Sequence, residues 1–328
     1  MSLDRRRLGL LAVVAAGVVL PLGASGYIQS LAADAVWLGM LVLSLVVLTG
    51  LVGQVSFCQY SFAAVGAFTV GCLTGGHHWS FWLSMPLGVA LAAATGVLVG
   101  IPALRLSGLF LAILTVAVAL FFDQYLFTPG TWDAFTGGLN PWQVGRPSFL
   151  GIGLTGEYAF YLFSLTVLLL AMVLVWNLRR GKVGRVLRAV RGSELAASTM
   201  GLNLTAWKLA AFGLSAGIAG LAGALSAVRI GSVSAPSYAF LDSVALAAVA
   251  IVMGVDAIGA AVVGGIFLAF GNYLLQKIGI STQYFNLILG ALLVVQVVFT
   301  PAGLVPSMRD QWRRRVARRP GALAEVPS

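Results

Sequence analysis

The sequence predicts an all-α fold: a polytopic transmembrane helix bundle of about ten spans. Three observations lead there. The 328 residues are 59% hydrophobic and 9% charged, with a mean hydropathy of +0.97, whereas soluble domains carry about 25% charged residues. The apolar residues fall in runs close to the roughly 20 residues that a bilayer-crossing helix needs. The basic residues cluster between and after those runs instead of being spread along the chain. Length alone gives no domain count, since a polytopic bundle is one domain however long it is. The expected division is a transmembrane unit over 1–308 and a basic tail over 309–328.

Taken in order, Arg5, Arg6 and Arg7 precede an apolar run at 8–22. With the small residues Gly23, Ala24 and Ser25 behind it, this has the layout of a signal peptide. Retention as a first span is the expectation, because the uncut run completes the parity of crossings described below. Further runs cover 35–52, 57–73, 81–101, 106–127, 158–178, 209–228, 241–255, 257–276 and 284–300. The run at 241–255 is short for a crossing and reads as tilted, broken or partly buried in protein. Between the second and third runs, Gly53, Gln54, Val55 and Ser56 interrupt the apolar pattern. Three prolines, several glycines, Trp132 and Trp142 mark 128–157 as an extramembranous loop with interfacial aromatics.

An even number of crossings puts both ends of the chain on one side. With Met1 in the cytoplasm, only Arg146, Arg229 and Lys277 of all the basic residues lie outside, a strong asymmetry of the positive-inside kind. The net charge of +10 thus has a membrane explanation. The arginines between Arg309 and Arg319 lie where each gains roughly 1 kcal/mol from anionic lipid headgroups. Nucleic-acid binding would want stacking aromatics among the basic residues, and that tail holds only Trp312.

Candidate chemistry is sparse. Cys58 and Cys72 lie in apolar surroundings with no CxxC pattern and read as buried small hydrophobes. His77 and His78 are adjacent, point to different faces and have no third ligand near. No HExxH, nucleophile triad or P-loop occurs. Asp34, Asp123, Asp242 and Asp256 all fall near predicted span ends, which argues against an ion-coupled carrier, since such carriers keep costly intramembrane ionisable groups for function. Stripes of small residues, such as Gly213, Gly217, Gly220 and Ala224, suit close helix packing.

The most informative stretch is 179–208. Arg179, Arg180, Lys182, Arg185, Arg188 and Arg191 force the chain out of the hydrocarbon there. A helical pattern lies between Gly192 and Gly201, placing Glu194, Ala197 and Gly201 on one small-residue face. A transport protein with no energy source of its own and a prominent cytoplasmic docking segment points to an engine on a separate subunit.

Three segments resemble a known family. GQVSFCQYSFAAVGAF at 53–68 is similar to its GQLSLGHAAFFGIGAY segment. GRVLRAVRGSELAASTMGLNLTAWKLAAFGLSAGIAGLAGAL at 184–225 is similar to its cytoplasmic loop and following helix. TPAGLVPSMRDQWRRR at 300–315 is similar to its closing segment. On these the chain resembles the permease subunits of ABC importers for branched-chain amino acids, the LivM-like of the two. The resemblance implies a bundle of the vitamin-importer-like, type II-like kind, in a bacterial inner membrane. It further implies a homologous LivH-like second permease, two ABC ATPase subunits and an extracytoplasmic solute-binding protein, with no cofactor, no nucleic acid and no enzymatic activity in this chain. It makes 179–208 the cytoplasmic coupling loop, with Arg188, Arg191, Glu194, Ala196, Ala197 and Gly201 as the docking residues, and 128–157 the external loop. Gln54, Ser56 and Gln59 are the candidate pathway residues, polar and beside a break in the helix, with helix–helix hydrogen bonding as the competing role. Cys58 and Gln59 replace the family's Gly-His, Phe68 replaces a tyrosine, and Asp256 stands in a turn that is usually glycine-rich. These departures leave urea, short amides and other small polar solutes open as cargo, and an ion-coupled secondary transporter is the alternative of another class.

Overall fold

A computed structural model describes residues 25–106, 108–149, 152–153 and 156–279, with isolated positions in 17–23 and 287–291. The expected spans at 8–22 and 284–300 and the tail at 309–328 therefore fall mostly or wholly outside the described residues. The described elements are almost all helical. Helix α1 (Gly26–Val47) runs into a π-helical turn, Leu48–Val52, and α2 (Gln59–Gly71) into another, Cys72–Gly76. Helices α3 (Phe81–Ala103) and α4 (Leu109–Phe121, extended by the π-turn Phe122–Leu126) lead to a loop. That loop carries α5 (Asp133–Thr136) and the short strands β1 (Trp142–Gln143), β2 (Ser148–Phe149) and β3 (Ile152–Gly153). Then come α6 (Glu157–Arg180), α7 (Lys182–Gly192), α8 (Glu194–Thr199) and α9 (Leu204–Ile230). Strand β4 (Ser232–Val233), a 3₁₀ turn at Ala235–Tyr238, α10 (Phe240–Met253) and α11 (Gly259–Lys277) follow. Six helical stretches are long and apolar enough to cross a membrane, and α2 and α11 are shorter.

Helices α1 and α9 form the centre and are buried over most of their length, while α3, α4 and α6 keep an open face. What lets them approach is the absence of side chains. A Cβ on Gly66 would strike the Gly220 backbone, one on Gly220 the Ala92 methyl, and one on Gly223 the Ala63 carbonyl. On the other flank, Gly265 and Gly39 bring α11 against α1 in the same way. With no hydrophobic force between helices in lipid, such close packing is the main attraction available.

The chain breaks inside this core at residues 53–58, which are non-helical, whereas 232–233, beyond α9, pair with β1 at the loop end of the bundle. Ser44 of α1 donates to Gln59 Oε1 (2.9 Å), Gln59 Nε2 to Ser215 Oγ (3.2 Å), and Ser215 Oγ to the Ser44 carbonyl (2.8 Å). Ser215 sits near the middle of α9, a helix of 27 residues and so about 40 Å long by its rise. Helix α2 thus begins at mid-depth. The backbone N–H of Tyr60 donates to Ser243 Oγ (3.0 Å), which sets the first turn of α10 at that same depth. From there α2 runs to the end of the bundle that holds β1, where Gly75 and Gly76 abut Gln143 and Trp142. Helix α10 runs the opposite way, toward α7.

The runs at 57–73 and 241–255 hold α2 and α10, whose first turns meet beside the middle of α9; the helical stretch through α10, 235–253, is one of the six long enough to cross. Asp242 lies in that first turn of α10, and Asp123 Oδ2 accepts from the Phe240 N–H (3.4 Å) at its start, about 12 Å along α4 from Thr115.

Packing of α9 yields a contrast between neighbouring glycines. A Cβ at Gly217 would lie 3.4 Å from the Ala93 Cβ, an ordinary contact, whereas one at Gly223 collides with the Ala63 backbone. Gly223→Ala is expected to destabilise the bundle by about 1–3 kcal/mol, the cost of overpacking a tight core, and Gly217→Ala to leave it nearly unchanged. Thermal unfolding of the detergent-solubilised variants decides; equal melting temperatures would refute the packing argument.

Candidate functional site

Two regions concentrate polar groups, and α10 joins them. The first is the segment from Arg179 to Lys208. Helix α7 buries Gly184, Leu187 and Val190 and turns Arg185 and Arg188 to the surface, an amphipathic division at helical spacing. Ser193 ends it and caps the next helix, its Oγ accepting from the Ala196 N–H (3.2 Å). Helix α8 closes around Gly201, whose φ of +76° lets the Leu202 N–H reach the Ala197 carbonyl (3.3 Å). Asn203 then caps α9 through the Ala206 N–H (3.1 Å). Two caps and one left-handed glycine thus make a six-residue helix that packs one side on the bundle and turns the rest to the surface.

Of the expected docking face, Glu194 and Gly201 are exposed and Ala197 is buried. Ala197 is 2% exposed and packs inward, and Glu194 folds back onto Lys208 Nζ (2.7 Å). The outward groups are Leu195, 77% exposed, and Met200, 76% exposed, with Ala196, Ser198 and Thr199. Spacing of about 100° per residue sets Leu195 opposite Ala197, so the signal was present once Ala197 was known to face the core.

Arg188 stays exposed, but Arg191 is engaged inside the chain. Its Nη1 donates to the Gly50 carbonyl (2.6 Å) and to Asp256 Oδ1 (2.5 Å), and Arg179 Nη1 donates to the Asp256 carbonyl (2.8 Å). Gly53, at φ +78°, leaves room for the Arg191 stem, whose Cγ would lie 3.0 Å from a Cβ there. Sequence reading had no means of linking positions 50, 191 and 256.

The second region surrounds the helix breaks. All three candidate pathway residues, Gln54, Ser56 and Gln59, are buried. Gln59 is spent on the Ser44–Ser215 network and Ser56 on Cys58 Sγ (3.2 Å). Gln54 Oε1 has no hydrogen-bond partner among the described residues. Of the three, Gln59 ties α2 to α1 and α9, and Ser56 bonds within its own loop.

An open polar surface does exist, on α4 and the start of α10. Leu111, Thr115 and Ala119 hold α4 to the bundle along one narrow seam. Its remaining perimeter exposes Leu109, Phe110, Ile113 and a stacked Phe121–Tyr125 pair at 5.4 Å. Half-buried Asp123 and exposed Asp242 sit among these, with Gln124 Nε2 near Asp123 Oδ2 (3.4 Å). A carboxylate facing hydrocarbon costs up to about 2.5–3.5 kcal/mol at the helix centre, so the part of this face around Asp242 is suited to protein or water. No group of three or more metal-ligating side chains occurs among the described residues.

Comparison with known proteins gives a consistent result. The family model described as "Branched-chain amino acid transport system / permease component" matches residues 27–297. The high-affinity branched-chain amino acid transport system permease protein LivM of Salmonella typhimurium strain LT2 is 30% identical, over 98% of this chain and 80% of its own. Its counterpart LivH from Escherichia coli K12 is 23% identical over 78% of this chain and 87% of its own. The autoinducer 2 import system permease protein LsrC of Salmonella typhimurium is 27% identical over 59% of this chain and 54% of its own. No solved structure matches the chain. The apolar bundle, the surfacing basic segment and these matches agree: the chain belongs to the permease-component family of branched-chain amino acid transport systems, as a membrane-spanning transport subunit and not an enzyme.

Proposed function

We propose that the chain is one of two homologous permeases in an ATP-driven ABC importer and supplies half of the path for branched-chain or related amino acids. A solute-binding protein delivers cargo at the end bearing the 128–157 loop, and two ATPases act at the end bearing α7 and α8. Both termini and the 179–208 segment are then cytoplasmic, in keeping with the distribution of arginines. The observation that carries the reading is α8: a short capped helix offering Leu195 and Met200 to solvent beside exposed Arg185 and Arg188. An exposed apolar pair rimmed by charge is the anatomy of a protein interface. In this reading Glu194, Ala197 and Gly201 shape α8 from behind, Ala196 flanks its contact surface, and Arg188 meets the partner.

The α4–α10 face is assigned to the partner permease and the path between the two. Asp123 and Asp242 suit the α-ammonium of an amino acid better than neutral urea or a short amide, because a carboxylate there gains most from a cationic partner. Those same carboxylates favour one other reading, an ion-coupled carrier, since ionisable groups within the membrane commonly serve proton or ion relays.

Leu195→Asp and Met200→Asp together are expected to weaken ATPase binding by about 30-fold, the loss of one interface hot spot of roughly 2 kcal/mol. Co-purification of the ATPases with the membrane-inserted variant measures it, and undiminished recovery would count against α8 as the contact. Asp242→Asn should lower uptake by the complete transporter while leaving ATPase recovery unchanged. Finally, vesicles holding the purified chain alone should show no leucine uptake with or without a proton gradient; uptake driven by the gradient would select the carrier reading.

A further inference from the structure

Arg191 holds together three pieces of chain that are remote in sequence, and all three end at moving parts of a transporter of the proposed kind. It stands at the last turn of α7, one residue ahead of the Gly192–Ser193 joint that leads to α8. Its Nη1 donates to the Gly50 carbonyl in the π-turn from which the 53–58 break descends into α2. The same nitrogen pairs with Asp256 Oδ1 in the turn that follows α10. Helices α2 and α10 meet again in the middle of the bundle, where the Tyr60 N–H donates to Ser243 Oγ.

The contact is made where glycines let the backbone approach closely. Gly53 (φ +78°) and Gly254 (φ +98°) flank it, in conformations that suit glycine, and a Cβ at Gly50 would collide with the Val255 carbonyl. The groups facing Arg191 come from every element packed there. They are the carbonyl of Gly50, the carboxylate of Asp256 and, on the far side of Asp256, the guanidinium of Arg179. As an exposed ion pair the contact would add about 0–1 kcal/mol to stability. Holding the fold is therefore a poor account of a side chain that bridges a docking segment to the π-turn ahead of the 53–58 break and to the turn after α10.

We infer that Arg191 is a positioning residue for transport: it carries displacement of the α7–α8 segment into α2 and α10, so that ATPase closure moves the two helices together. This rests on the ABC-importer reading and replaces the expectation that Arg191 meets the ATPase directly. The test uses the complete transporter, with its partner permease, ATPases and binding protein, in sealed vesicles with leucine as cargo. Arg191→Gln should leave ATPase recovery and ATP hydrolysis near wild type while lowering leucine taken up per ATP by about tenfold, a typical coupling loss. Arg191→Lys, which keeps the charge but on a shorter side chain with a compact ammonium in place of the guanidinium, should fall between. Asp256→Asn should reduce the ratio too, and the double variant should be no worse than Arg191→Gln alone, because both act on one contact. Unchanged uptake per ATP in Arg191→Gln or Asp256→Asn, or fully additive losses, would overturn the inference. Lost ATPase recovery in Arg191→Gln would do so as well, returning the residue to the docking face. Should Arg191→Gln fail to fold, Asp256→Asn decides alone. Absence of ATP-dependent uptake in wild type would instead remove the importer reading itself.

Discussion

An unpaired backbone N–H or C=O cannot face hydrocarbon, and this architecture is arranged around that prohibition. One stretch of chain, 53–58, leaves helical geometry within a membrane bundle. Such a break survives only where protein supplies the missing partners. Here the Phe57 N–H finds Thr115 Oγ1 (3.1 Å) and the Tyr60 N–H finds Ser243 Oγ (3.0 Å). Satisfying those groups requires neighbours close on all sides, which places the break beside the two most buried helices, α1 and α9.

Close neighbours in turn require small ones. Gly66, Gly220 and Gly223 let α2 and α9 touch backbone to backbone, and Gly88, Gly96 and Gly100 do much the same for α3. A chain with 40 glycines thus gains a core dense enough to bury a broken helix. The break also explains the functional layout. A helix that starts in the middle of the bundle brings its first turn, with any polar residue there, to mid-depth. Asp242 is placed in this way, and Asp123 beside it caps an N–H of the same helix end, where a carboxylate is favoured by the helix dipole.

At the opposite end of α10 the consequence is mechanical. Its closing turn holds Asp256, and the carboxylate there is what Arg191 binds. One helix of 14 residues therefore has its start on the open α4 face and its finish at the docking segment. That economy connects the place where cargo would pass to the place where force would be applied, within a single rigid element.

Much of this was legible from residues alone. Hydropathy and the clustering of arginines determined that the chain is a membrane bundle, which end surfaces as a basic segment and where the long loop lies, because lipid imposes a one-dimensional rule on length and charge. The interruption at Gly53–Ser56 and the shortness of the run near 241–255 were visible as well. Tertiary structure decided what those signals meant. Hydropathy records how apolar a stretch is but not how deep it begins, so the meeting of the first turns of α2 and α10 was visible only in the fold. Periodicity on a six-residue helix cannot say which face turns inward. The packing of α8 buries Ala197 and leaves Leu195 and Met200 outward. Arg191 in sequence is one arginine among many; its distinction comes from Gly50 and Asp256, brought to it by folding from opposite ends of the chain.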